Sequence, residues 1–178
     1  MNIQRLTPES TIKLLPNLEA LLQNAVTNGA SIGFLPPLTH EDAIYYWQDV
    51  VKALESPYRI LLIAEIDQEI IGTVQLDMAS RPNGSHRAEI AKLMVHTSHR
   101  GQGIGRALMN TIETEAKRAG RTTLILDTKE GDLSEQLYSK MSYTRAGTIP
   151  EYARNADGSL HTTVFMYKLL NIVPYSIS

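Results

Sequence analysis

The sequence predicts an α+β fold: one domain on a mixed, mostly antiparallel twisted sheet of about six to seven strands, with helices on both faces. Three observations predict it. The 178-residue chain suits one compact domain with a sizeable core. Two runs rich in Ile, Leu and Val, Tyr58 to Ile66 and Ile70 to Met78, are separated by Asp67-Gln68-Glu69 and read as an antiparallel hairpin. A strand, a glycine-rich turn, a helix and another apolar strand then follow in order. That order implies a right-handed crossover and a locally parallel pair.

Each element follows from local chemistry. Asn2 to Leu6 is a short first strand. Thr7-Pro8-Glu9 starts a helix, with Thr7 as the cap and Pro8 at the first helical position. Pro16 kinks or restarts it. Leu18, Leu22, Ala25 and Val26 then share one face, and Asn28-Gly29 ends the helix. Ser31 to Pro37 is an apolar loop, read as packed on the core or as a wall of a substrate pocket. Thr39-His40-Glu41-Asp42 opens the next helix, where Ala43, Ile44, Trp47, Val50, Val51 and Leu54 keep helical spacing and Trp47 anchors the core.

After the hairpin, Arg81 to Ser85 is a loop and a third strand runs from about His86 to His96. A helix from about Gly103 to Ala119 buries Ile104, Ala107, Leu108, Ile112, Ala116 and Ala119, with Glu113, Lys117 and Arg118 largely outside that stripe. Gly120 stops it. Thr122 to Asp127 is a strongly apolar strand. Asp132 or Ser134 begins a helix through about Lys140 that carries Leu133, Leu137 and Tyr138. Tyr143 to Gly147 and His161 to Leu170 are the last two strands, and Asn155 to Gly158 between them is turn chemistry. The domain spans residues 1–170, and 171–178 form a C-terminal tail.

Composition narrows the function. A formal net charge of −2 gives no global attraction to nucleic acid or anionic membrane. Without cysteine there is no disulfide framework, cysteine–zinc site or thiol nucleophile, which fits a reducing cytoplasm. The N-terminus lacks a secretory apolar core, and no apolar run approaches membrane-spanning length. His96 and His99 flank a turn without a third ligand at recognisable spacing, so no metal is expected.

The chain is organised around Arg100-Gly101-Gln102-Gly103-Ile104-Gly105. Such a turn aims several backbone N–H groups at one anion, and the helix behind it adds its positive end. Three diphosphate sites compete. A Walker loop fails because no Gly-Lys-Ser/Thr follows. A nicotinamide dinucleotide site has Asp127 at the end of the next strand, but the glycine spacing is G-x-G-x-G and the turn follows a hairpin. The third reading is a coenzyme A pyrophosphate site.

The turn resembles the Q/R-x-x-G-x-G/A signature of the GCN5-related N-acetyltransferases (GNAT). The strand before it (Ile90 to Val95), the helix after it, the strand at Leu124 to Asp127 and Leu137-Tyr138 extend the resemblance over roughly Tyr58 to Leu170. The stretch Gly147 to Ala153, with Asp157-Gly158 and Tyr167-Lys168, resembles the tabtoxin-resistance acetyltransferase branch. The resemblance implies an acetyl-CoA cosubstrate. Gly101, Gln102, Gly103, Ile104, Gly105 and Arg106 would hold the pyrophosphate, with Arg100 in the local basic group beside the CoA phosphates. Leu93, Met94 and Val95 would pair with the pantetheine like an extra strand, and a backbone N–H there would polarise the thioester carbonyl.

The chemistry has two proton demands: the amine must lose a proton, and the departing thiolate benefits from gaining one. Tyr138 matches the family's thiolate-protonating tyrosine; core packing beside Leu137 is the competing reading. Glu89 and Asp127, on strands flanking the turn and its helix, are the candidate carboxylates for the amine. Their competing readings are an exposed strand residue and a helix or turn cap. Tyr152 lines the acceptor pocket or is a surface tyrosine. The expectation is a cytoplasmic N-acetyltransferase moving acetyl to an amino-acid-like or antibiotic-like primary amine by direct attack. The partner is that small molecule, with a homodimer admitted and neither nucleic acid nor membrane involved. A nicotinamide-dependent enzyme and a non-catalytic acyl-CoA sensor are the alternatives.

Overall fold

The computed structural model describes residues 1–170. The expected tail, 171–178, lies outside the described residues. Seven strands form one sheet: β1 (Asn2–Arg5), β2 (Arg59–Ile66), β3 (Glu69–Met78), β4 (Arg87–Val95), β5 (Thr123–Lys129), β6 (Thr144–Arg154) and β7 (Leu160–Leu169). Their spatial order is β1-β2-β3-β4-β5-β7-β6, and β4–β5 is the parallel pair while the other neighbours run antiparallel. The hairpin and the parallel pair are therefore as the sequence predicts.

Among the described residues five α-helices cover the sheet: α1 (Pro8–Lys13), α2 (Leu15–Thr27), α3 (His40–Leu54), α4 (Ile104–Arg118) and α5 (Leu133–Lys140). Thr7 caps α1 with its side chain on Ser10 N–H, and the helix restarts at Leu15 with Pro16 in its first turn. Thr39 caps α3 through Asp42 N–H, and Asp132 caps α5. Period-two alternation along β2 assigns the two faces. Ile60, Leu62 and Ala64 join the core under α4 and α5, whereas Leu61 and Ile63 join Leu18, Leu22 and the fully buried Trp47 under α2 and α3.

Strand β4 changes sides partway along. Ala88 and Ile90 face α4, but beyond Lys92 it is Leu93 and Val95 that pack there and Met94 that packs on the α2–α3 side. The cause is a β-bulge: the β3 pairing jumps from Gln75↔Ala91 to Thr73↔Met94, and Lys92 has a φ of 55°. One extra residue reverses every later side chain. The bulge is not visible in the sequence.

Three other details differ from the sequence reading. Strand β6 runs to Arg154 instead of ending at Gly147, with pairing irregularities that a short-strand pattern hides. Glu113 is buried in the α4 stripe, where Lys168 Nζ pairs with its carboxylate at 2.7 Å, while Ala119 is exposed. Strand β5 continues past Asp127 to Lys129, so Asp127 is a strand residue and caps neither a helix nor a turn.

Candidate active site

The parallel pairing of β4 with β5 covers only Arg87, Ala88 and Glu89 against Thr123, Leu124 and Ile125. Beyond it β4 continues to Val95 without rungs to β5, and a cleft of about 770 Å³ takes the place of the ladder. Ile90 to Val95 form one side and Asp127 and Thr128 the other. The start of α4, the face of α5 bearing Tyr138, the Asn28–Gly33 segment and Tyr152-Ala153 of β6 complete it.

One wall is made of backbone. Arg100, Gly101, Gly103, Ile104, Gly105 and Arg106 line it together with Leu93, Met94 and Val95. Gly103 is the N-cap of α4 with a φ of 82°, a left-handed conformation that glycine adopts without steric cost. No side chain caps the helix, so its first N–H groups are unpaired within the helix and face the turn. Gly105 packs closely on the neighbouring side chains: a Cβ there would lie at contact distance, 3.4 Å from Leu137, 3.8 Å from Val95 and 4.0 Å from Leu93, so only a small residue fits beside the cleft. Gln102 is exposed and outside the lining, its amide turned to the Ser98 carbonyl at 3.4 Å.

The opposite wall is made of charged side chains from separate elements. Glu89 on β4 and Asp127 on β5 both line the cleft, as their positions flanking the crossover lead one to expect. Solvent reaches both, yet the walls desolvate them in part. Burial raises the Glu89 carboxyl above its ordinary range, and the neighbouring charges of Asp127 and Asp77 raise it further. Burial likewise raises Asp127, against the pull of Lys92.

Lys92 is the charged residue of the cleft that the sequence reading does not single out. Its ammonium donates to the Ile32 carbonyl at 2.7 Å and lies 5.9 Å from the centre of the Phe34 ring. It therefore ties the Ser31–Pro37 loop to the bulge, and burial lowers its pKa below the lysine norm. The loop packs on the core and also borders the cleft: Phe34 packs edge-on against Tyr46 of α3, and Ser31, Ile32 and Gly33 line the cleft. Arg59 pairs with Asp77, which is the cross-strand neighbour of Glu89. Three carboxylates (Glu89, Asp127, Asp77) against two cations (Lys92, Arg59) leave one negative charge uncompensated in this set. The signal for Lys92 was present: it is the one charge inside Ile90-Ala91-Lys92-Leu93-Met94-Val95.

Tyr138 is both core and cleft. Its ring stands 5.8 Å from that of Tyr143 and it is 6 % exposed, yet it lines the cleft with Leu137. Burial, then the charges of Asp127 and Asp132, hold its hydroxyl well above the usual tyrosine range, so it keeps its proton at neutral pH. Tyr152 also lines the cleft; it belongs to β6 and meets Phe165 edge-on. Leu133, expected among the apolar residues of α5, is largely exposed.

The comparisons bear on the family and the fold. Residues 23–143 match the acetyltransferase (GNAT) family. N-acetyltransferase 8B of Homo sapiens is 33% identical over 111 residues, which are 60% of this chain and 48% of that protein. The chain spans about half the length of that relative. Among solved structures, yncA from Salmonella typhimurium, solved with its cofactor acetyl-CoA, superposes with a TM-score of 0.75 at 18% identity over 99% of this chain and 98% of that one. An aminoglycoside 6'-acetyltransferase type Ii gives 0.71 at 23% identity over 98% and 100%. No helix among the described residues is long and apolar enough to cross a membrane. With the glycine turn, the interrupted β4–β5 ladder and this match across most of its length, the chain belongs to the GNAT acetyltransferase family.

Proposed function

We propose that residues 1–170 are an acetyl-CoA-dependent N-acetyltransferase domain acting on the primary amine of a small cationic molecule. The observation that carries this reading is that the glycine turn, Glu89, Asp127 and Tyr138 line one cleft. The cleft fits the cosubstrate: it offers an uncapped helix N-terminus for a diphosphate, an open β4 edge and a lining of small residues at Gly101, Gly103 and Gly105. Acetyl-CoA, when bound, supplies the activated acyl group.

In this reading the backbone N–H groups from Gly101 to Arg106 hold the pyrophosphate, and Arg100 adds positive charge beside it. A backbone N–H of Leu93, Met94 or Val95 polarises the thioester carbonyl. Glu89 and Asp127 hold the acceptor ammonium and pass its proton to water. The amine nitrogen then forms the C–N bond as the C–S bond breaks, and Tyr138 gives its proton to the sulfur, regaining one from the protonated product nitrogen through solvent. Direct transfer needs neither a cysteine nor a metal. The uncompensated negative charge of the Glu89–Asp127–Asp77 set favours a cation as acceptor.

The acceptor class in the proposal is an amino-acid-like or antibiotic-like amine, including the tabtoxin warhead. The aminoglycoside enzyme among the structural neighbours and the Gly147–Ala153 stretch support it. A cytoplasmic setting, where acetyl-CoA is available, belongs to the same reading, and light scattering tests the admitted homodimer.

Thiol release from acetyl-CoA across a panel of amines tests the activity, with amino acids, aminoglycosides and phosphinothricin as members. Release with at least one primary amine is expected. Thermal stabilisation by acetyl-CoA without release on any amine would favour an acyl-CoA sensor, and stabilisation by NAD alone would favour a nicotinamide site.

A further inference from the structure

The turn that joins β4 to the glycine loop carries two histidines for which the proposed transfer has no use. Its backbone is pinned from two sides. His96 N–H donates to the Ile71 carbonyl at 2.8 Å, and His99 N–H to the His96 carbonyl at 2.9 Å. Asn24 of α2 accepts from Thr97 N–H and donates to Thr97 Oγ1, both at 3.1 Å. The imidazoles are oriented by one hydroxyl: Ser98 Oγ is 2.6 Å from His96 Nδ1 and 2.9 Å from His99 Nδ1. Strand β3 begins beside them at Glu69. One carboxylate oxygen of Glu69 and one ring nitrogen of each histidine all lie within 4.8 Å of one another. The third group that sequence spacing does not supply comes from a different strand.

We propose that Glu69, His96 and His99 form a binding site for a divalent transition-metal ion of the zinc class. Two neutral imidazoles and a carboxylate are a donor set suited to Zn²⁺, and three protein ligands leave a fourth position to water. Ring nitrogens select against Mg²⁺ and Ca²⁺, which take oxygen ligands. Ligand atoms around a tetrahedral ion with bonds of about 2 Å are about 3.3 Å apart, so the group must draw in slightly. Glu69 is exposed and can close that gap by rotating its side chain, while the pinned turn stays in place. Ser98 then acts as the outer partner that fixes ring orientation. An ion here fastens the β2–β3 hairpin to the turn that leads into the glycine loop.

The test is titration of Zn²⁺ into the EDTA-treated, dialysed full chain by calorimetry at pH 7.5, with Co²⁺ absorption as a second readout. The chain has no cysteine, so visible Co²⁺ bands report nitrogen and oxygen donors alone. One Zn²⁺ per chain is expected, undisturbed by excess Mg²⁺. The double variant His96→Ala/His99→Ala should lose it. Glu69→Gln keeps size but removes the charge and should weaken binding by at least about tenfold, and Ser98→Ala by about 10- to 100-fold. Glu69→Gln perturbs an exposed side chain, so it carries the test even if the histidine variants fail to fold. Absence of stoichiometric Zn²⁺ binding by the unmodified chain overturns the site. So does binding that survives loss of both histidines, or unchanged affinity in Glu69→Gln.

Discussion

On one wall of the cleft the polar groups belong to the backbone, between Arg100 and Arg106; on the other they are charged side chains of β4 and β5, with Lys92 held by the Ile32 carbonyl of the Ser31–Pro37 loop. The first wall is contiguous in sequence, so its glycines announce it. The second is assembled by topology: Glu89 and Lys92 reach Asp127 only because β5 returns parallel to β4 and then leaves it. A local wall suits a cosubstrate common to a family, and an assembled wall can be altered one side chain at a time to suit an acceptor.

The largest effect expected is at the seam between the walls. Tyr138→Phe keeps the ring that packs on Tyr143 and removes the proton that the proposed mechanism offers to sulfur. kcat should fall by roughly 10²–10⁴ with little change in KM for acetyl-CoA. A kcat within about threefold of wild type, with chemistry shown to be rate-limiting, would leave Tyr138 a packing residue.

Next comes the backbone wall. Gly103→Val places a β-branched residue at a φ of 82°, although no atom lies within 4 Å of the new Cβ. The left-handed conformation costs about 1–2 kcal/mol for such a residue, so the thermal midpoint should drop by several degrees. Acetyl-CoA affinity measured by titration calorimetry should fall more, by over about tenfold. Equal affinity on an intact fold would move the diphosphate site elsewhere.

The charged wall should respond through pH. Lys92 lowers the pKa values of both Glu89 and Asp127. Lys92→Met keeps the aliphatic stem and removes that influence, so the acidic limb of the kcat/KM profile should move to higher pH. An unmoved limb would detach those carboxylates from the rate.

The smallest effect is on stability. Burial holds the folded-state pKa of Asp127 above the ordinary aspartate value of 3.8. Its ionised form is therefore disfavoured in the fold, and its contribution to stability declines as pH rises from near 3.8 through the folded-state pKa. Asp127→Asn should raise the thermal midpoint slightly at pH 7, and the gain should vanish at pH below 3.8. A midpoint lowered at pH 7 would mean that the Lys92 attraction outweighs desolvation.

Legibility in the sequence followed the same division. The hairpin, the capped helix starts and the glycine turn depend on neighbours within a few residues, the parallel pair follows from the order strand, turn, helix, strand, and the structure has them where the pattern puts them. The Lys92 bulge, the length of β6 and the burial of Glu113 depend on partners far along the chain: Thr73 and Gln75, the β7 strand, and Lys168. Glu89 and Asp127 lay between these cases. Their strands were readable, but their pKa values are raised chiefly by burial in the cleft, with the Asp127 charge adding to Glu89, and spacing alone does not carry that burial.

The early end of the β4–β5 ladder also has a kinetic signature. From Ile90 to Val95, amides on the β5 side have no strand partner, while those on the β3 side are held by its pairing. Deuterium uptake along this one strand should therefore be split. The unpaired amides should exchange quickly in the free protein, and acetyl-CoA should slow them before any acceptor is added, giving a label-based readout of docking independent of turnover.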